Sequence, residues 1–277
     1  MKIFDAHNDF FTELNSKQIA SYLKHLKLYH KNVKIISQVW TTELNNPIKF
    51  INKCNKIISI SNNLCLGIED LGFINEDNLK MYMNKIIELR PISCGIVWNY
   101  DNALGGGALG KSGLTSIGEK VVKRLERNNV IIDTAHMNRK TFFDFCKITT
   151  KPIFNSHCNI YELHHHKRNI DEEQICKIIS TNGLICLSFV GNFISGKNIS
   201  SKEVALQIYY AIYKYGYKHF AIGSDFFGTN NLPNNLENYL DFHNLKEELL
   251  RLGVSRKKIR AVFYKNLDRF IKKNIKR

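Results

Sequence analysis

The sequence predicts a single-domain α/β fold over residues 1–277, a parallel (β/α)8 TIM barrel. Three observations carry that expectation. Short β-branched runs alternate with longer stretches of helical apolar spacing, and eight such runs can be counted. No Ser/Pro-rich linker divides the chain, whose length is near the ~250 residues usual for this barrel. Parallel strands also require crossovers, which the intervening helices supply while covering the outside. A doubly wound open sheet is the structural alternative.

Taken in order, the first strand is expected at 2–6 and leads into Asp5-Ala6-His7-Asn8-Asp9. Residues two apart on a strand share a face, so His7 and Asp9 should point at one spot, half of a divalent-metal site. The second run, 33–39, ends in Gln38-Val39-Trp40. The third, 64–68, is followed by Glu69, and the fourth, 92–98, closes on Trp98-Asn99. Residues 99–114 are Gly-rich and read as a flexible loop over the barrel mouth. Thr115-Ser116 then caps a helix over 116–128. The fifth strand, 130–133, precedes His136, and the sixth, 152–155, precedes His157. After the seventh, 183–190, a helix is marked by Val204, Leu206, Ile208, Tyr209, Ile212 and Tyr213. The eighth, 219–223, precedes Asp225, and Ser255 caps a last helix at 256–272. Barrel active sites form at the C-terminal ends of the strands, where these polar residues fall.

Composition narrows the function classes. Hydrophobic residues make up 44% of the chain, enough for a substantial core and against disorder. The net charge of +15 raises the question of an anionic partner. Its lysines are interleaved with Asp and Glu, however, and only Lys272-Lys273 with Lys276-Arg277 is a basic cluster, so no nucleic-acid binding is expected. Seven cysteines, an odd number without a Cys-x-x-Cys pair, read as reduced, mostly buried thiols of a cytoplasmic protein. No apolar run reaches the ~18 to 20 residues that span a bilayer, and no signal peptide is read at the start, so no membrane association is expected.

Imidazoles at His7, His136 and His157 with carboxylates at Asp9 and Glu69 are about what two zinc ions need, several nitrogen and oxygen ligands and one carboxylate able to bridge. Singly, each has an ordinary structural explanation; four strand ends repeating the pattern do not. The run His164-His165-His166 reads as a solvated loop.

Together, Asp5-x-His7-Asn8-Asp9, Gly67-Ile68-Glu69, Gly113-Leu114-Thr115, Ile132-Asp133-Thr134-Ala135-His136, Ser156-His157, Arg168-Asn169-x-Asp171 and Gly223-Ser224-Asp225-Phe226-x-Gly228 resemble the membrane (renal) dipeptidase family of zinc peptidases, in the amidohydrolase superfamily. Order and spacing match through nearly the whole chain, with the stretch between Asp9 and Glu69 abbreviated. The resemblance implies a zinc-dependent dipeptidase with two Zn2+ per chain. His7 and Asp9 would bind one ion, His136 and His157 the other, and Glu69 both. A water held between the ions would be the nucleophile. Asp225 would shuttle the proton to the leaving amine, and Arg168 would clamp the terminal carboxylate of a dipeptide, in some members one with a C-terminal D-residue. Family members are often dimers, so a homodimer is the implied assembly.

Two positions depart from the family pattern. Trp98, with Asn99 beside it on the substrate side of the fourth strand end, stands where many members have a His; an indole N–H donates one hydrogen bond but does no acid-base work. Phe227 stands where an acidic residue is common. These departures keep open a hydrolase of another small amide or lactone, and a barrel that binds without catalysis. A third alternative is a nucleotide-binding protein, because Gly105 to Ser112 fits the phosphate-cradling pattern Gly-x-x-x-x-Gly-Lys-Ser, with Val130-Ile131-Ile132-Asp133 after it. Against it, the preceding strand ends several residues early and Gly113 interrupts the helix that should begin at Lys111.

Overall fold

The computed structural model describes residues 1–13, 15–29, 32–40, 46–58, 61–196 and 198–275. Lys276 and Arg277, half of the basic cluster, lie outside the described residues. The strands are β1 (Ile3–Asn8), β2 (Val33–Val39), β3 (Leu64–Ile68), β4 (Ser93–Gly95), β5 (Ile131–Asp133), β6 (Phe154–Cys158), β7 (Leu184–Leu187) and β8 (Phe220–Ile222). They pair in chain order, all parallel, and β8 returns to β1 through Asp5 and Ile222 to close the barrel. This is the (β/α)8 TIM barrel that the alternation of runs predicts.

Neighbouring apolar residues within a strand face different cores. Ile35, Ile185, Phe220 and Ile222 join the cluster between strands and helices, whereas Ile36, Leu184, Cys186 and Ala221 pack inside the barrel. Buried on both faces, such strands carry continuous apolar runs rather than an alternating pattern. The interior cluster also takes Leu267 and Phe270 from the C-terminal helix Asn266–Asn274, and Phe270 stacks on Phe154 at 5.5 Å. That helix packs on the barrel interior away from the C-terminal strand ends, which carry the polar residues.

The helices start where their caps predict. Thr115 accepts a hydrogen bond from Gly118 N ahead of the helix Ser116–Arg127, whose Val121, Val122 and Leu125 are buried. Asp171 with Gln174 and Ser200 with Glu203 form reciprocal capping boxes at the later helices Glu172–Ser180 and Ser201–Lys214. Ser255 caps as expected, but 256–272 is not one regular helix: a π-helical segment at Ala261–Lys265 divides Arg256–Arg260 from Asn266–Asn274.

Strand lengths differ from expectation where the chain turns into the site. β4 stops at Gly95 rather than 98 because the carbonyl of Ile96 accepts from the Asn102 side chain instead of a neighbouring strand. β1 and β6 run further than predicted, through His7 and His157, and each contains a register shift, between Asp5 and Asn8 and between Asn155 and Cys158. One extra residue in a strand breaks its alternation and re-aims a side chain, here at both histidines. No helix among the described residues is long and apolar enough to cross a membrane.

Candidate metal centre

β1 delivers the first two groups. His7 Nε2 lies 3.2 Å from Asp9 Oδ2, so the pair converges as the spacing predicts, although the register shift rather than simple alternation aims the ring. Strand β1 is tied to the end of β8: Asp225 N donates to His7 O, and Asp9 N to Phe226 O, both at 3.0 Å. Below them the buried Asp5 carboxylate accepts from the backbone N–H of His7 and Ser224, the Ser224 hydroxyl, and Tyr239 Oη at 2.6 Å. One side chain thereby holds both segments that carry His7 and Asp225.

Glu69, immediately after β3, is the common point. Its Oε1 is 3.0 Å from His136 Nε2, 3.7 Å from His7 Nε2 and 3.9 Å from His157 Nε2. His136 reaches it from a turn in which Asp133 Oδ1 accepts from Ala135 N, and it takes a left-handed backbone angle, φ 66°. On the far side of that ring, Nδ1 lies 2.9 Å from Asn99 Oδ1. Asn99, expected to face substrate, therefore spends its amide oxygen on orienting His136. His157 Nε2 is 3.1 Å from His136 Nε2, and its Nδ1 is 2.9 Å from Ser156 Oγ.

Asp225 completes the ring of groups, with Oδ1 3.9 Å from His7 Nε2 and Oδ2 4.0 Å from His157 Nε2. It too has a left-handed backbone, φ 62°, a conformation that an Asp tolerates better than most residues. Arg168, from the loop after β6, is buried; its Nη2 lies 2.7 Å from His157 Nε2, and its guanidinium covers the Phe193 ring at 5.4 Å. Trp98 stacks on His136 with ring centres 5.8 Å apart and touches Trp40 at 5.2 Å. Phe227 turns away toward Tyr22 and Phe10, at 4.9 and 6.4 Å, which accounts for an apolar residue there.

Of these groups, Asp9, Glu69, His136, His157, Arg168 and Asp225 line a cavity of about 380 Å3 whose other walls include Trp40, Leu109, Val190 and Phe193. Burial pushes the Glu69 carboxyl well above the usual range, and Asp9 beside it adds to the rise. Burial, then Asp9, raises Asp225 to about 7. Burial holds His136 and His157 well below the ordinary imidazole value. Crowded carboxylates and desolvated imidazoles are what a divalent cation relieves, since it neutralises the first and bonds the bare nitrogens of the second. The side chains of His7, Asp9, Glu69, His136, His157 and Asp225 are each 10% exposed or less, and His7 Nε2 is buried with no hydrogen-bond partner. Two overlapping ligand sets, His7, Asp9 and Glu69, and Glu69, His136 and His157, each bring their donor atoms within 4.8 Å. Hard oxygen and imidazole donors in this number suit zinc and similar dications. A third grouping, His7, Asp133 and His157, is a poorer cradle, because Asp133 Oδ1 already accepts from Ala135 N and Ser156 N.

The Gly105–Ser112 stretch does not form a phosphate cradle. Lys111 N and Ser112 N, which would face a phosphate, both donate to the Asp101 carboxylate, as does Ser112 Oγ, and the next helix begins only at Ser116. The loop contributes Leu109 to the cavity wall.

Sequence reasoning missed four contributors. His166 is not simply a solvated loop residue: it lines the cavity, packs on Phe193 at 4.9 Å, and accepts the Arg168 backbone N–H. Phe193 and Val190 carry no motif at all. Ser156 stands inside a recognised motif, but nothing in its spacing shows that it touches two histidines, His7 as well as His157.

The chain matches the model of the membrane dipeptidase family, peptidase family M19, over residues 11–277. Over 146 residues it is 30% identical to dipeptidase aclJ of Aspergillus oryzae, a match covering 52% of this chain and 35% of that protein. Over 244 residues it is 24% identical to an uncharacterized dipeptidase of Schizosaccharomyces pombe, covering 83% and 58%. The chain thus spans well under two thirds of the length of these curated relatives. Its fold superposes with a TM-score of 0.81, at 15% identity and 99% coverage of both chains, on a metallo peptidase from Rhodobacter sphaeroides liganded with a phosphinate mimic of the dipeptide L-Ala-D-Ala.

Proposed function

The chain belongs to the membrane dipeptidase family, and from that membership and the geometry of its centre we propose that it is a zinc-dependent dipeptidase. Its ligands are His7, Asp9, Glu69, His136 and His157. The observation that carries this reading is the position of Glu69 Oε1, within 3.0 to 3.9 Å of the Nε2 atoms of all three histidines. A carboxylate so placed can serve two cations at once.

Two zinc ions bound there would supply Lewis acidity toward the scissile carbonyl and lower the pKa of water to near neutrality. Asp225 lines the cavity beside both His7 and His157, where its carboxylate can take a proton from the attacking water and hand it to the leaving amine. Arg168 offers a planar fork of donors to the substrate's terminal carboxylate. Phe193 beneath the guanidinium holds its plane. Trp40, Trp98, Leu109 and Val190 give the substrate side chains an apolar wall and exclude bulk water from the centre. Dipeptides ending in a D-residue belong among the substrates we propose; the ligand of the Rhodobacter sphaeroides structure supports their inclusion. We also propose a cytoplasmic location, supported by an odd number of cysteines and the lack of a Cys-x-x-Cys pair in the sequence.

Trp98 favours one second reading. It stacks on His136 and brings no acid-base group to the mouth, so the same centre would also suit another small amide or a lactone. Elemental analysis of gently purified protein, paired with a panel of L-L and L-D dipeptides, tests both. Two zinc ions per chain and dipeptide turnover are expected. Protein without transition metal would falsify the leading reading, and metal-loaded protein that cleaves only other amides or lactones would favour the second.

A further inference from the structure

Ser156 Oγ stands 3.0 Å from His7 Nδ1 and 2.9 Å from His157 Nδ1. All three side chains are buried, and the register shift in β6 is what lets two consecutive residues, Ser156 and His157, both serve the centre. A hydroxyl can accept two hydrogen bonds while donating one, so the question is which way each bond runs. For His157 the opposite nitrogen answers it. Arg168 Nη2 lies 2.7 Å from His157 Nε2, and a guanidinium only donates, so Nε2 must be bare and the ring proton must be on Nδ1, facing Ser156. For His7, Nε2 makes no hydrogen bond although Asp9 Oδ2 lies 3.2 Å away, whereas Nδ1 lies 3.0 Å from Ser156 Oγ, which places the ring proton on Nδ1. His136 has a separate arrangement, its Nδ1 resting on Asn99 Oδ1.

We propose that Ser156 is a positioning residue shared by the two halves of the metal centre: its oxygen accepts the Nδ1 proton of both His7 and His157, and so turns both Nε2 lone pairs toward the ions. Glu69 joins the two ligand sets from the cavity side, and Ser156 joins them from behind. This inference rests on the reading of the centre as a binuclear metal site. It predicts that losing one hydroxyl weakens both ions, although Ser156 touches neither. An outer partner that holds a single histidine affects a single ion.

The test is a zinc titration of the metal-stripped full chain in competition with a chromophoric chelator. Wild type is expected to take up two equivalents. Ser156→Ala is expected to weaken both binding steps, each by about 10- to 100-fold, the usual effect of removing an outer partner of a metal-bound histidine. Asn99→Ala is expected to weaken only one. A Ser156→Ala protein in which one step or neither moves overturns the proposal, whereas wild type that binds no zinc overturns the metal-centre reading instead. Should Ser156→Ala fail to fold, nitrogen-15 spectra of metal-free wild type decide. Both His7 and His157 are expected to carry the proton on Nδ1, and an Nε2-protonated ring at either position overturns the assignment.

Discussion

A side chain on Gly228 would begin 2.2 Å from Asp225 Oδ1. The same Cβ would meet Asp9 Oδ2 at 2.5 Å, so the turn after β8 can fold against the centre only while residue 228 has no side chain. Gly228→Ala is therefore expected to displace a ligand and the proton shuttle together. Dipeptide turnover should fall by about 100-fold, the order of loss for a misplacement near 1 Å, and zinc content should drop with it. Kinetics and elemental analysis on the same preparation check both; full activity in Gly228→Ala would show that the turn yields freely.

Asp225 itself separates chemistry from metal retention. Asp225→Asn keeps the shape of the side chain and removes its proton-accepting oxygen charge. Turnover is expected to fall by about 100- to 10,000-fold, the range for loss of a general acid-base group. Zinc per chain should stay near two, and its loss instead would mean that Asp225 serves mainly as a ligand.

Replacing Arg168 by Lys keeps the charge but loses the planar pair of donors and the stack on Phe193. The expected result is a rise of about 10-fold or more in KM for dipeptides, with a smaller change in kcat, the pattern of an interaction made equally before and during reaction. A substrate whose terminal carboxylate is amidated should show little difference between the two proteins.

Chelation tests the centre as a structural element. Ions that bind only the folded chain add stability by mass action, roughly 2.7 kcal/mol at a hundredfold excess over the dissociation constant. Stripped protein is expected to melt at a lower temperature and to lose activity, and zinc should restore both. An unchanged melting profile through stripping and reloading would argue against ions bound by these residues.

Asp101 pins the 99–114 loop by accepting from Lys111 and Ser112. We propose that this loop, which presents Leu109 to the cavity, covers bound substrate. Asp101→Ala should expose Lys111 to faster tryptic cleavage and raise KM. ATP should protect neither protein, and protection would revive the nucleotide-binding alternative.

The order of elements and most ligand positions could be read from the chain because they follow local rules. Apolar runs of four to seven residues buried on both faces, caps such as Thr115 and Asp171, and polar residues just beyond strand ends are properties of neighbouring positions. The strand limits at Gly95, Asn8 and Cys158 were not legible. They depend on Asn102 capturing the carbonyl of Ile96, and on one extra residue in β1 and in β6, relative to partner strands far away in sequence.

Residue types and spacing alone marked out a (β/α)8 chain with His7, Asp9, Glu69, His136, His157 and Asp225 at its strand ends, because strand periodicity and metal-ligand chemistry are both written in side-chain identity. Closing the barrel assigned the supporting cast: Asn99 to His136, Phe193 to Arg168, and Ser156 to two rings. Those pairings depend on contacts between segments up to 149 residues apart, as between His7 and Ser156. Only when eight strands share one circumference do such distances shrink to the length of a hydrogen bond.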